Sequence, residues 1–175
     1  MAIATGRRAV AGHGGGGASS WCQLRATARL WTFAALRVPL ILFLRPRVRE
    51  LSDDRAAVTI PLSRRTRNPA GSMYFGALAS GADMVPGMLA VVCGRRLGRP
   101  VRFAFRECTA RFLRRADGDV TFACGDGAAV ASALARSSAS RGWHEARVKV
   151  VATCGTANGD EPVATFDLLL AVRVR

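Results

Sequence analysis

The chain has 175 residues, half of them hydrophobic, which is enough for one domain with a real core. Its 26 Lys and Arg against 12 Asp and Glu give a net charge of +14, and Lys149 is the only lysine. Such a surface attracts phosphates, nucleic acid or anionic headgroups at low salt. The five cysteines are odd in number, scattered and without a CxxC pair, and the two histidines stand far from them; this argues against a disulfide framework and a zinc site, and for a reducing, cytoplasmic setting.

No acidic residue occurs from Met1 to Arg49, and Gly14 to Gly17 form a glycine run. Residues 1–20 read as a disordered basic leader, a composition that an organelle transit peptide shares. Residues 21–50 read as a helical segment. Its apolar stretch Trp31 to Leu44 falls short of the roughly 20 residues of a spanning helix and is interrupted by Arg37, so the expectation is a helix that packs on the domain or makes peripheral contact with a membrane surface through residues 21–49.

From Leu51 the pattern changes. Val58, Ile60 and Leu62 alternate with less apolar neighbours, predicting a strand that ends in the basic loop Ser63 to Gly71. Ser72 to Val92 is apolar almost all round, predicting a buried helix whose Gly76, Ala77, Ala79, Ser80, Gly81 and Ala82 admit a sheet at close range. Pro86 falls inside it and predicts a kink. Strands are expected over Val101 to Leu113, Asp119 to Cys124, Glu145 to Thr153 and Val163 to Val174, with turns at Asp117-Gly118 and Asn158-Gly159-Asp160. The Ala-rich run Asp126 to Ser140 predicts a shorter helix with Asp126 as N-cap. A sheet wrapped around the long helix would hide its all-round apolar surface.

Asp83 is the only charged residue between Arg67 and Arg95. A carboxylate on an apolar helix is desolvated and more basic unless a partner stabilises it, so Asp83 is a candidate base, with a structural role bonded to backbone or Arg as the alternative. Asn68 is either a polar site residue or an Asx-turn residue, and Gly71 and Gly76 either site or packing glycines. His144 reads as an ordinary edge histidine and His13 lies in the leader, so triads and dyads built on His are poorly supported.

The spacing Asn68-x-x-Gly71-x-x-x-x-Gly76, followed by Ala82-Asp83, resembles phenylacetyl-coenzyme A thioesterase-like proteins of the hotdog superfamily, which carry Asn, Gly, His-Gly-Gly and Ala-Asp in the same register. Arg67-Asn68-x-x-Gly71-Ser72-Met73-Tyr74-Phe75-Gly76-Ala77-Leu78, with Leu44-Arg45-Pro46 upstream, is similar to an uncharacterised branch of that superfamily. Phe112-Leu113-Arg114 followed by Ala116 resembles the Phe-Leu-Arg-Pro-Ala strand motif, with Arg115 in place of proline.

The resemblance covers residues 51–175 and implies an α+β hotdog fold, a curled antiparallel sheet wrapped around one long helix, here with an N-terminal helical extension. It also implies a homodimer or homotetramer and an acyl-coenzyme A or acyl-carrier-protein thioester as substrate, with no cofactor of the protein's own. Asp83 would then act on the thioester carbonyl, Gly76 would polarise it through its N–H and Asn68 would orient it. Tyr74 and Phe75, standing where the relatives carry His and the first Gly, would lie beside the substrate with Gly71. The clusters Arg64-Arg65-Arg67 and Arg95-Arg96-Arg99 would meet the coenzyme phosphates or remain solvated surface charge. The expectation is a thioesterase-like hydrolase or a degenerate acyl-coenzyme A-binding relative. A non-catalytic basic protein for nucleic acid or anionic membrane is the alternative.

Overall fold

The computed structural model describes residues 20–156 and 159–175; the leader 1–19 and the turn residues Ala157 and Asn158 lie outside the described residues. Helices α1 (Ser20–Arg37) and α2 (Pro39–Leu44) precede strands β1 (Arg47–Leu51) and β2 (Ala56–Ile60). Then come the long helix α3 (Phe75–Arg96), β3 (Val101–Phe112), β4 (Val120–Cys124), helix α4 (Gly127–Ser140), β5 (His144–Thr156) and β6 (Gly159–Val174). The strands form one antiparallel sheet in the order β1-β2-β4-β5-β6-β3.

α3 is the axis of the core. Twelve of its residues are buried, among them Leu78, Val85 and Leu89, and they pack against Val58, Ile60, Phe122, Val150 and Phe166 of the sheet. Each fully buried side chain of this size contributes about 1.5–3 kcal/mol. The small residues act as expected: a Cβ on Gly81 would stand 2.4 Å from the Phe122 ring, so only glycine lets that ring reach the helix. By length and apolarity α3 would also suit a membrane span, but it is the core helix and mostly buried.

Several boundaries differ from the sequence reading, each for a local reason. The segment 21–50 is not helical throughout, because Arg47 to Leu51 pair with Ala56 to Thr59 as β1. The sheet domain therefore begins at Arg47 rather than Leu51. The edge of β1 is covered by α1: Val48 N–H donates to Thr27 Oγ1 (3.0 Å), Gln23 Nε2 donates to Arg49 O (2.8 Å) and Trp31 Nε1 to Pro46 O (2.8 Å). β2 shows no alternation, all five of its residues being buried, since Thr59 on the face away from α3 is itself hydrogen-bonded to Thr121 Oγ1 (2.9 Å) and to Arg49 Nε (2.9 Å). Leu62 lies beyond the strand.

α3 starts at Phe75 rather than Ser72 because the preceding backbone is held elsewhere. Met73 N–H donates to Ala116 O (2.9 Å) and Tyr74 N–H to Thr66 O (2.7 Å). It continues unbroken through Pro86 to Arg96, ending with Arg95 and Arg96 where cations favour the helix dipole. Asp126 precedes α4 but does not cap it; its Oδ2 accepts the Lys149 N–H at 2.6 Å, and Gly127 N–H turns to Asp54 O (3.1 Å). Val130, Ala133, Leu134 and Ser137 form the buried stripe of α4 at helical spacing. Buried Ser137 donates to Gly142 O (2.6 Å) and accepts Val174 N–H (3.0 Å), joining α4 to the end of β6.

Candidate active site

The residues singled out around α3 fall into two groups. The first is the loop that leads into the helix, and its polar groups are largely satisfied by one another. Asn68 Nδ2 donates to Ser72 Oγ (2.9 Å), its Oδ1 accepts Ser72 N–H (3.1 Å) and its own N–H donates to Ser72 O (2.8 Å). Asn68 is thus a turn-forming residue, with one amide hydrogen and its side-chain oxygen engaged inside the loop. Gly71 holds φ +89°, a left-handed backbone suited to glycine, and donates to Asn68 O (3.0 Å). Arg115, which replaces the proline of the strand motif, donates from Nη2 to Ala70 O and pairs through Nε with Asp117 (2.6 Å), tying this loop to the connection between β3 and β4.

Tyr74 precedes the first turn, and its ring lies against Gly76, where any Cβ would stand 2.5 Å from Tyr74 Cε1. A side chain at position 76 would push this exposed ring aside. The Gly76 N–H still sits at the positive end of α3, in the turn where helix amides have no partner of their own. Phe75 turns to Phe112 in an edge-to-face contact with centroids 5.7 Å apart, and Phe112 in turn meets Phe166 at 6.1 Å. Phe75 therefore packs on the sheet. Arg64, Arg65 and Arg67 are exposed, with Arg65 over the Phe43 ring at 5.2 Å.

The second group surrounds a cavity of about 610 Å³ between α1 and α3, in the range of small-molecule sites. Leu30 and Phe33 of α1, Met84, Met88 and Val91 of α3, and Phe103 of β3 supply much of its apolar wall. One carboxylate, Asp83, faces it, with Arg25, Arg29 and Arg95 also on the wall. Asp83 is accessible through the cavity yet flanked by apolar surface. Desolvation by that surface raises its pKa above the usual 3.8, and among the described residues no hydrogen bond or ion pair offsets it. A carboxylate in that condition is a stronger base toward a proton presented inside the cavity.

Asp83 and Gly76 lie on one face of α3, since seven residues make almost two turns, and are about 10 Å apart along the axis. The structure thus places Asp83 at the cavity and leaves Asn68, Gly71, Tyr74, Phe75, Gly76 and the Arg64-Arg65-Arg67 cluster outside its lining. Of the second basic cluster only Arg95 reaches the cavity; Arg96 pairs with Asp53 at 2.6 Å. Sequence reasoning missed Arg25, Arg29, Met84 and Met88. The α3 members were detectable, because 83/84, 87/88, 91/92 and 95 recur at helical spacing; those on α1 depend on how that helix docks.

A curled six-stranded antiparallel sheet around one long helix, with an exposed edge strand and an apolar cavity beside the helix, defines the hotdog class. Solved structures agree. A probable thioesterase of unknown function from Pseudomonas aeruginosa is 24% identical with a TM-score of 0.67, over 85% of this chain and 96% of that one. A putative thioesterase from Shewanella oneidensis is 16% identical with a TM-score of 0.70, over 85% and 98%. A thioesterase from Haemophilus influenzae is 16% identical with a TM-score of 0.61, over 85% and 90%. At these identities the likeness establishes the fold. The chain belongs to the family described as domain of unknown function DUF4442, whose profile matches residues 26–170. No curated protein sequence matches the chain.

Proposed function

We propose that the protein is an acyl-thioester hydrolase acting on acyl-coenzyme A or a carrier-protein thioester. The observation that carries this reading is the desolvated Asp83 carboxylate on the wall of the apolar cavity, without an ion pair or hydrogen bond among the described residues. The acyl chain lies between α1 and α3, along Leu30, Phe33, Met84 and Met88. Asp83 takes a proton from water as the water oxygen attacks the thioester carbonyl carbon. The tetrahedral intermediate collapses, the C–S bond breaks, and the thiolate leaves with the proton that Asp83 returns. Arg25, Arg29 and Arg95 are the cations on the cavity wall for the coenzyme phosphates, in place of Arg64, Arg65 and Arg67.

The Tyr74 ring against Gly76 favours a second reading at the same site, a relative that holds thioesters and cleaves them slowly, because it packs an aromatic beside the amide that would polarise the carbonyl. Both readings include a dimer. Among the described residues β3 pairs only with β6, leaving a twelve-residue edge open to a second copy. Light scattering is expected to show at least a dimer at micromolar concentration.

The test is a series of short, long and aromatic acyl-coenzyme A thioesters, followed by free-thiol release and by melting temperature. Thiol release from a member of the series supports hydrolysis, and a raised melting temperature without thiol supports the binding relative. No change in either with any member overturns the proposal.

A further inference from the structure

α1 presents a largely apolar stripe away from the domain. Gln23, Ala26, Thr27 and Leu30 turn toward the domain at helical spacing, but Trp21, Leu24, Ala28, Thr32, Ala35 and Leu36 form a second stripe at the same spacing that turns outward. The large members of that stripe are open to solvent: Trp21 is 76% exposed, Leu24 58% and Leu36 77%. An amphipathic helix of a self-contained domain would carry polar side chains there.

The flanking charge is of one sign. Arg25, Arg29, Arg37, Arg45, Arg47 and Arg49 are exposed, residues 20–49 contain no Asp or Glu, and none of these arginines takes part in an ion pair among the described residues. This selects the occupant. A two-fold contact between copies would set the patch against itself, arginine against arginine, with apolar area as its only gain. Nucleic acid would match the charge but leave Leu24 and Leu36 without a role. An anionic bilayer matches both features, apolar side chains entering the headgroup boundary and guanidinium groups meeting lipid phosphates.

We propose that the outward face of α1 docks on an anionic membrane surface through Trp21, Leu24 and Leu36, with Arg37 at the end of the helix beside the headgroups. Because the opposite side of α1 lines the Asp83 cavity, docking brings the cavity wall to the lipid surface.

The test uses the full chain and vesicle flotation at physiological salt, with phosphatidylcholine alone or mixed with phosphatidylserine. The wild type is expected to float with the mixed vesicles and to show Trp emission quenched by brominated lipid. The variant Trp21→Ser/Leu36→Ser keeps every charge and removes only exposed apolar groups, so it is expected to melt like the wild type, to lose the quenching and to partition at least about tenfold more weakly. Failure of the wild type to float with the anionic vesicles overturns the proposal, and so does equal flotation of wild type and variant, which would reduce the interaction to net charge. Concentration-dependent association of the wild type that the variant abolishes, without flotation, would assign the face to a second copy instead.

Discussion

The loop before α3 and the middle of α3 carry the same resemblance in sequence, yet the structure treats them differently. Around Asn68 each polar side-chain atom has a partner a few residues away, and the loop is fastened to the connection between β3 and β4 through Met73 and Arg115. Around Asp83 the carboxylate has none among the described residues and faces a cavity. A polar residue whose hydrogen bonds close on its own loop is explained by folding alone. One left desolvated without a partner is a cost to the fold, and such costs concentrate where chemistry is done.

The contrast can be broken by substitution. Asp83→Asn keeps volume and removes the basic oxygen, so thiol release is expected to fall by roughly 10²- to 10⁴-fold while thioester binding survives. Met88→Trp fills the cavity from α3, and affinity for long-chain thioesters is expected to drop by about tenfold or more relative to short-chain ones; an unchanged chain-length profile would place the acyl group elsewhere. Changes in the lead-in loop should act on stability instead. Gly71→Ala forces a side chain into left-handed backbone and is expected to cost about 1–2 kcal/mol in denaturant unfolding. Asn68→Ala is expected to cost about 1 kcal/mol with turnover close to wild type. Loss of turnover in Asn68→Ala without loss of stability would erase the distinction between the two regions.

The fold was legible where the chain had to hide apolar surface. The all-round apolarity of 75–96 demanded a wrapping sheet, and the alternation of Ala146, Val148, Val150 and Ala152 with Glu145, Arg147 and Lys149 marks β5 directly. β1 was not legible, because Arg47, Arg49 and Glu50 interrupt any apolar pattern and the strand exists through pairing with β2 and the cover of α1. Asp126 misled as a cap because its carboxylate has a nearer donor on β5, a tertiary contact that local sequence does not contain. The site divides likewise. Asp83 stood out as a lone charge on an apolar helix, whereas Arg25 and Arg29 reach the cavity only through the docking of α1. Asn68, Gly71 and Gly76 matched the motif's spacing, which cannot tell a turn built for folding from one built for substrate.

The central claim is that the Asp83 carboxylate is held without a partner in apolar surroundings, and thermal melts of wild type and Asp83→Asn across pH test it most directly. Desolvation raises the folded-state pKa of Asp83 above its unfolded value, so the folded state binds the extra proton and stability falls as pH rises through that window. At neutral pH the charged form carries the full cost. Asp83→Asn is therefore expected to melt higher than wild type at pH 7, with the advantage shrinking as the pH is lowered through the raised pKa and gone below the unfolded value of about 4. An Asn variant that melts lower than wild type at pH 7 would mean that the carboxylate is held by a stabilising partner, and would contradict the account.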